Sequence, residues 1–252
     1  MAVMEDVLLL IDLHQHALRQ GPGGEEETRR AIELAGLAKG RRWKIADIGC
    51  GTGASTLVLA RELDADITAV DLLPEFLAVL QERAARLGLA HSITTLAASM
   101  DALPFAPASL DAIWSEGAIY QLGFERGARE WRRFLRPGGI LAVSELTWLT
   151  TNRPQELEAH WVEQYSEVGS AASKMAVLER NGYSPLGYFV LPERCWFEAY
   201  YRPMQRRFPA FLAEHGTSEA ARAIVASEEQ EIALYERYKA HVGYGYYIAR
   251  KL

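Results

Sequence analysis

The sequence predicts an α/β fold: a mostly parallel sheet with helices on both faces and extra helical segments at either end. Three observations carry this reading. From Lys44 onward, short apolar runs alternate with helical stretches across short linkers; a glycine-rich turn joins the first run to a helix; and a long helical excursion separates the last two runs. Such alternation implies right-handed βαβ units, because parallel strands need a crossover and strand twist sets its hand. A chain of 252 residues, 49% of them hydrophobic, has the material for one large domain with additions. Within that single domain, residues 1–40 are expected to form a helical lid, 44–146 a ligand-binding core, and 147–252 the later strands with a helical cap.

Taken in order, residues 3–19 place Val3, Val7, Leu10, Ile11 and Leu18 at helical spacing and stop at Gly21-Pro22-Gly23-Gly24. A second helix is expected over 25–37, its acidic first turn matched to the positive end of the helix dipole. Strands are expected at 44–49, 65–71, 92–97, 110–115 and 140–146, with helices at 55–63, 74–87 and 125–135. Helices at 154–168 and 170–181 then lead to a sixth strand at 184–191. The helical segment at 195–239 is too long for a plain crossover and is expected to cap one end of the sheet, before a last strand at 243–250.

The totals exclude several classes. A formal net charge of −6 opposes sustained nucleic-acid binding, which rests on a basic surface, and the arginine pairs at 29–30, 41–42, 132–133 and 206–207 are scattered. Two cysteines, Cys50 and Cys195, cannot build a disulfide framework. Residues 1–20 carry Glu5, Asp6 and Asp12 rather than a basic leader, and no apolar run reaches the roughly 20 residues of a membrane helix. A soluble, cytoplasmic protein is expected. The histidines offer no convincing metal site: His14 and His16 diverge on a helix, and the other four stand alone.

The chemistry-bearing segment is Ile45-Ala46-Asp47-Ile48-Gly49-Cys50-Gly51-Thr52-Gly53, an apolar strand running into three glycines at alternate positions and then a helix. Glycine serves where the chain turns sharply and where a ligand approaches the backbone. The amides that open the helix favour a negatively charged group. Asp71, with Leu72 beside it, ends the second strand, where an acid accepts hydrogen bonds from both ribose hydroxyls; it reads also as a helix N-terminal acid before Pro74. Neither signal separates S-adenosylmethionine (SAM) from a nicotinamide cofactor, since Gly49, Gly51 and Ala54 also satisfy G-x-G-x-x-G/A. Two further acids favour SAM. Asp47 stands where it orients the loop and answers an amino-acid ammonium. Asp101, in Ala98-Ser99-Met100-Asp101-Ala102-Leu103-Pro104-Phe105, suits an adenine slot, its carboxylate taking the exocyclic amine and an amide near Met100 a ring nitrogen. Asp101 reads otherwise as a solvated turn acid.

The segments 47–53, Asp71, 99–105, 110–120 and Phe134-Leu135-Arg136-Pro137-Gly138-Gly139 resemble, in order and spacing, the class I SAM-dependent methyltransferases. The strings Trp114-Ser115-Glu116-Gly117-Ala118-Ile119-Tyr120 and Arg19-Gln20-Gly21-Pro22-Gly23 are similar to those of a bacterial subgroup of uncharacterised small-molecule methyltransferases, over nearly the whole chain. The resemblance implies a Rossmann-like, seven-stranded sheet with an antiparallel last strand, SAM as cofactor with S-adenosylhomocysteine (SAH) as product, and a small-molecule acceptor, in a monomer or homodimer. It does not imply which acceptor.

Site residues follow from the carboxyl ends of the strands, where ligands bind in such sheets. Cofactor contacts are expected from Arg19, Asp47, Gly49, Gly51, Gly53, Asp71, Leu72, Ser99, Met100, Asp101, Ser115 and Glu116. Glu116 is a candidate for holding the methionyl part or for taking a proton from the acceptor. Glu145 is a candidate substrate contact and Tyr120 a wall of the methyl pocket; the two acids read otherwise as helix caps and the tyrosine as a core aromatic. Arg19, ahead of a Gly-Pro-Gly hinge, is expected to swing over the cofactor and pair with its carboxylate through a planar fork. The later aromatics, among them Tyr165, Trp196, Tyr200 and Tyr201, either cap the acceptor pocket or pack the added helices. Two rival functions stay open: a SAM-binding protein without catalysis, and an NAD(P)-dependent oxidoreductase, for which no convincing Tyr-x-x-x-Lys pair accompanies the glycine loop. Nucleic-acid methylation is disfavoured because the fourth-strand motif is Trp114-Ser115-Glu116-Gly117, not Asn-Pro-Pro-Tyr/Phe.

Overall fold

Strand β1 (Trp43–Ile48) lies mid-sheet because its last four residues are buried on both faces, as an unbroken apolar run predicts. The computed structural model that shows this describes the backbone of residues 2–252 and the side chains of residues 6–252. Strands β2 (Ala65–Asp71) and β3 (Ile93–Ala97) add in turn on one side of β1, all parallel. Strands β4 (Leu110–Glu116) and β5 (Leu135–Trp148) add on the other, also parallel. The direction of growth reverses between β1 and β4, which opens a crevice beyond their carboxyl ends.

Past β5 the order runs to β8 (Val242–Lys251) and then β7 (Tyr183–Val190), with β8 antiparallel to both neighbours. The Rossmann-like, seven-strand path with an antiparallel last strand is therefore present. A two-residue strand, β6 (Gly169–Ser170), adds to it beside Thr147 and Trp148, on the stretch of β5 that runs on past its ladder with β4. Alternation along the strands feeds two cores. Ile45, Ala112 and Trp114 meet α2 (Glu25–Ala35) and α3 (Ala54–Glu62) on one face. Ile48, Ile113 and Val143 meet α5 (Phe124–Trp131) and α7 (Ala171–Arg180) on the other. Helix α4 (Pro74–Arg86) closes over α3 through Leu77 and Leu80.

A third apolar cluster joins the two ends of the chain. Leu9 and Leu13 of α1 (Ala2–Gln15) pack with Trp196 of α8 (Glu193–Trp196), Phe211 of α9 (Arg202–His215) and Val225 of α10 (Glu219–Tyr238). Lid and cap thus share one core. Trp148 of β5 and Leu157 and Trp161 of α6 (Gln155–Gln164) extend it.

Four boundaries differ from expectation. Helix α1 stops at Gln15, so residues 16–24 form a strap rather than more helix. The helical stretch expected over 195–239 is interrupted twice. Phe197–Tyr201 winds as a π segment, because Pro203 has no amide for the carbonyl of Ala199. A turn at 216–218 then separates α9 from α10, whose N-terminus Ser218 caps by accepting from the Ala221 amide. Helix α5 ends at Trp131, and β5 begins at Leu135 with Arg136–Gly139 bulged out between the residues that pair with Leu110 and Ala112.

Candidate active site

The glycine loop, which follows β1, is tied to the end of the neighbouring strand β2. The amides of Gly49 and Cys50 both donate to Val70 O, at 2.8 and 3.0 Å, and the Gly51 amide donates to Asp71 Oδ2 at 2.8 Å. Gly49, Gly51 and Gly53 all have positive φ (73°, 55° and 86°). A Cβ on Gly49 would lie 2.3 Å from the Ala118 Cβ, and one on Gly51 would lie 2.3 Å from Gln20 Oε1. Glycine here lets two other segments, the loop after β4 and the strap, close directly on the turn. Gly53 serves packing instead, since a Cβ there would strike Leu80 of α4. Helix α3 then starts at Ala54 with no side-chain cap, and Ala54 and Ser55 face a cavity of about 810 Å³.

That cavity is walled by residues from far-apart parts of the sequence: Arg19 and Gln20 of the strap, Gly49 and Gly51 of the loop, Asp71 and Leu72 after β2, Ser99–Asp101 after β3, and Glu116 and Tyr120 after β4. Asp71 is fixed by two backbone amides, those of Gly51 and Leu73, and burial raises its carboxyl above the usual range while those bonds hold it down. The loop at Met100 is pinned by the Trp131 indole N–H, which donates to its carbonyl at 3.0 Å.

Arg19 and Glu116 form the densest polar contact of the site. The guanidinium reaches Glu116 Oε2 through Nη1 at 3.0 Å and Nη2 at 2.6 Å. Oε1 accepts from Thr28 Oγ1 (2.7 Å), Trp114 Nε1 (3.1 Å) and Tyr246 OH (3.0 Å). Five donors converge on this carboxylate, so in this structure Glu116 is occupied as an anchor rather than free to take a proton from an acceptor, one of its two expected roles. Arg19 is paired with Glu116 in this structure, and it also lines the cavity. Its seat depends on Gly23, where a Cβ would come within 2.6 Å of the guanidinium carbon.

Several expected contacts lie off the cavity wall. Asp47 is fully buried beneath the loop, where Oδ2 accepts from Ser55 Oγ at 2.8 Å and Thr56 Oγ1 at 2.6 Å. It orients the first turn of α3, and its Oδ1 has no partner among the described residues. Burial pushes its pKa up to about 7, against the pull of those two hydroxyls. Ser115 points into the sheet and donates to the carbonyl of Ile48, which lies one residue past the last β1–β4 pair. Glu145 is corrected from a substrate contact to a core acid. It is buried on β5 with Lys174 Nζ at 3.6 Å, and burial raises its pKa to about 7 while that lysine opposes the shift. Strand alternation turns both side chains inward, and the sequence offered no sign of which face they would take.

Three residues with a part in the site escaped the sequence reading: Gln20, Thr52 and Arg83. Gln20 Oε1 accepts from the Thr52 amide at 2.9 Å, while its Nε2 donates to Thr52 Oγ1 and to the carbonyls of His14 and Ala17. Arg83 of α4 donates to Thr52 O at 2.7 Å and to Leu18 O at 3.2 Å. Together they clamp the strap onto the glycine loop. Gln20 lay in the string Arg19-Gln20-Gly21-Pro22-Gly23, the one sequence signal that pointed toward it.

Comparison with known proteins agrees with this geometry. Residues 45–139 match a family model described as a methyltransferase domain. Over 124 residues the chain is 32% identical to the methyltransferase GfsG of Streptomyces halstedii, a match covering 49% of this chain and 44% of that protein. The matched stretches span about half the length of such curated relatives. Among solved structures, a SAM-dependent methyltransferase from Geobacter sulfurreducens in complex with SAH superposes with a TM-score of 0.84 at 18% identity, covering 97% of this chain and 98% of that one. The [4+2]-cyclase SpnF superposes with a TM-score of 0.77 at 22% identity, covering 98% and 93%. At those identities the structures establish the fold. Residues 45–139 are a methyltransferase domain. Among the described residues no helix is long and apolar enough to cross a membrane.

Proposed function

We propose that this chain is a methyltransferase that takes SAM as cofactor and transfers its methyl group to a small molecule by in-line displacement. The observation that carries the reading is one cavity bringing together Arg19, the Gly49–Gly51 turn, Asp71 and the 99–101 loop. These groups fit an amino acid joined to a nucleoside: a guanidinium with spare donors for a carboxylate, an acid for ribose hydroxyls, and an acid, Asp101, for an exocyclic amine. When bound, SAM supplies a methyl group on a sulfonium, activated toward a lone pair. The chain's own part is alignment and exclusion of water, which together supply much of the rate enhancement in such a displacement. The Gln20–Thr52–Arg83 clamp and the lid–cap core serve both. The acidic balance and the cavity of about 810 Å³ support a small acceptor over nucleic acid. We place the protein in the cytoplasm, as a monomer or homodimer.

A second reading, SAM binding without methyl transfer, is favoured by one observation: the fold is shared with SpnF, a [4+2]-cyclase. Methyl-labelled SAM incubated with the protein and a metabolite extract separates the two. Label appearing in a new small molecule, together with SAH, supports methyl transfer. A protein that binds SAM yet moves no label from it supports the second reading.

A further inference from the structure

The lid and cap wall one side of the same cavity, the lid–cap compartment. Leu10 and His14 of α1, Tyr120, Tyr200 of the π segment, and Glu228 and Glu231 of α10 line it. We propose, building on the methyltransferase reading, that this compartment receives the acceptor and selects a small molecule carrying a protonated amine, held by Glu228 and Glu231.

Glu228 and Glu231 stand three apart, so α10 presents both on one face. Among the described residues no lysine or arginine lies within salt-bridge distance of either. Glu228 has only the His14 ring, 3.9 Å away, and Glu231 accepts from Tyr201 OH at 2.9 Å. His14 is no counter-ion at neutral pH, because burial lowers its pKa to about 4. Glu228 feels the opposite effect: burial, reinforced by the charge of Glu231, raises its carboxyl to about 7. Taking carboxylates out of water without a cation is costly, and a ligand ammonium entering between them removes that cost.

The rest of the wall points the same way. The His14 and Tyr200 rings lie nearly parallel, 16° apart with centroids 6.4 Å from each other, on one side of the compartment. Tyr200 is half-buried on the cavity wall, and its hydroxyl has no hydrogen-bond partner among the described residues. Tyrosine faces attract a cation through the ring quadrupole, and a free hydroxyl accepts an N–H. The π turn over Phe197–Tyr201 gives Tyr200 to the cavity and its neighbour Tyr201 to Glu231, fixing that acid.

The test titrates matched amines, alcohols and carboxylates, on phenylethyl and hexyl frames, into the full-length protein with and without saturating SAH, read by saturation-transfer NMR and calorimetry. The expected result is amine binding at least about tenfold tighter than the matched alcohol or acid, a difference of about 1.4 kcal/mol. That preference is lost in Glu228→Gln/Glu231→Gln, while SAH affinity stays as in the wild type. If the double variant fails to fold, Glu228→Gln alone carries the test, with a partial loss expected. Alcohols or acids binding as well as amines overturns the proposal, as does failure of every amine to bind, or an unchanged preference in the folded variant. A wild-type protein that takes amines through these two acids but ignores SAH refutes the methyltransferase reading and leaves this one standing.

Discussion

Replacing Arg19 by alanine removes the only cation paired with Glu116 among the described residues and gives the sharpest check on how the site is held together. Breaking a buried ion pair from one side costs about 3–5 kcal/mol where the stranded charge stays dry. Here the loss is smaller for two reasons. Glu116 keeps Thr28, Trp114 and Tyr246 as donors, and the pair lies on the cavity wall, where water can enter the vacated space. With charge-assisted hydrogen bonds contributing about 1.5–3 kcal/mol each, a loss of about 2–3 kcal/mol is expected. For a chain of this size that lowers Tm by about 4–12 °C in the cofactor-free protein. SAH affinity should fall about tenfold or more, because the proposed function makes the same guanidinium the donor to the cofactor carboxylate. Arg19→Lys keeps a charge but not the planar fork, so it should fall between wild type and alanine on both readouts. Thermal melts without cofactor and calorimetric titration with SAH measure the two effects separately. An unchanged Tm together with an unchanged SAH affinity refutes the reasoning.

Three further outcomes follow from the geometry. Gly49→Ala meets a left-handed backbone, about 1–2 kcal/mol, and a Cβ–Cβ overlap with Ala118, about 1–3 kcal/mol, so urea unfolding should show a loss of about 2–5 kcal/mol, with SAH binding abolished. Asp47 has a folded-state pKa raised from 3.8 to about 7, so its protonated form stabilises the fold below about pH 4 and that contribution is lost as pH rises through about 7. Asp47→Asn should therefore gain stability relative to wild type between about pH 5 and about pH 8; a difference that stays flat with pH contradicts the raised pKa. Lys174→Met strands Glu145, whose pKa already lies at about 7, so the destabilisation should be small near pH 6 and grow toward about pH 8 as that carboxyl ionises in the core. A penalty that shrinks over the same range rules out this account of the pair.

The sheet was legible because its strands are short apolar runs with turn residues between them, and a period of two leaves little freedom once one face is buried. The glycine loop was legible for the same local reason: three alternate glycines permit few backbones. What escaped was set by distance along the chain. Nothing near Glu116 in sequence announces Arg19, 97 residues earlier, or Tyr246, 130 residues later. With five donors on it, a candidate base becomes an anchor. Ser115 sits at the end of its strand, as the reading required, while β5 runs on three residues past Glu145, and strand alternation aims one at the Ile48 carbonyl and the other at Lys174. The π turn came from Pro203 inside a stretch that otherwise scans as continuous helix. Nothing in the sequence sets Glu228 and Glu231 apart within their helical stretch, and only the packing of α10 over the cavity makes them part of its wall.

The central claim is that the cavity above the glycine turn takes a nucleoside joined to an amino acid. Competitive calorimetry of the wild-type protein with SAH and NADH tests it most directly. Saturable binding of SAH at one site per chain, undisturbed by excess NADH and weakened in Arg19→Ala, is the predicted result. Binding of NADH with no heat from SAH contradicts it.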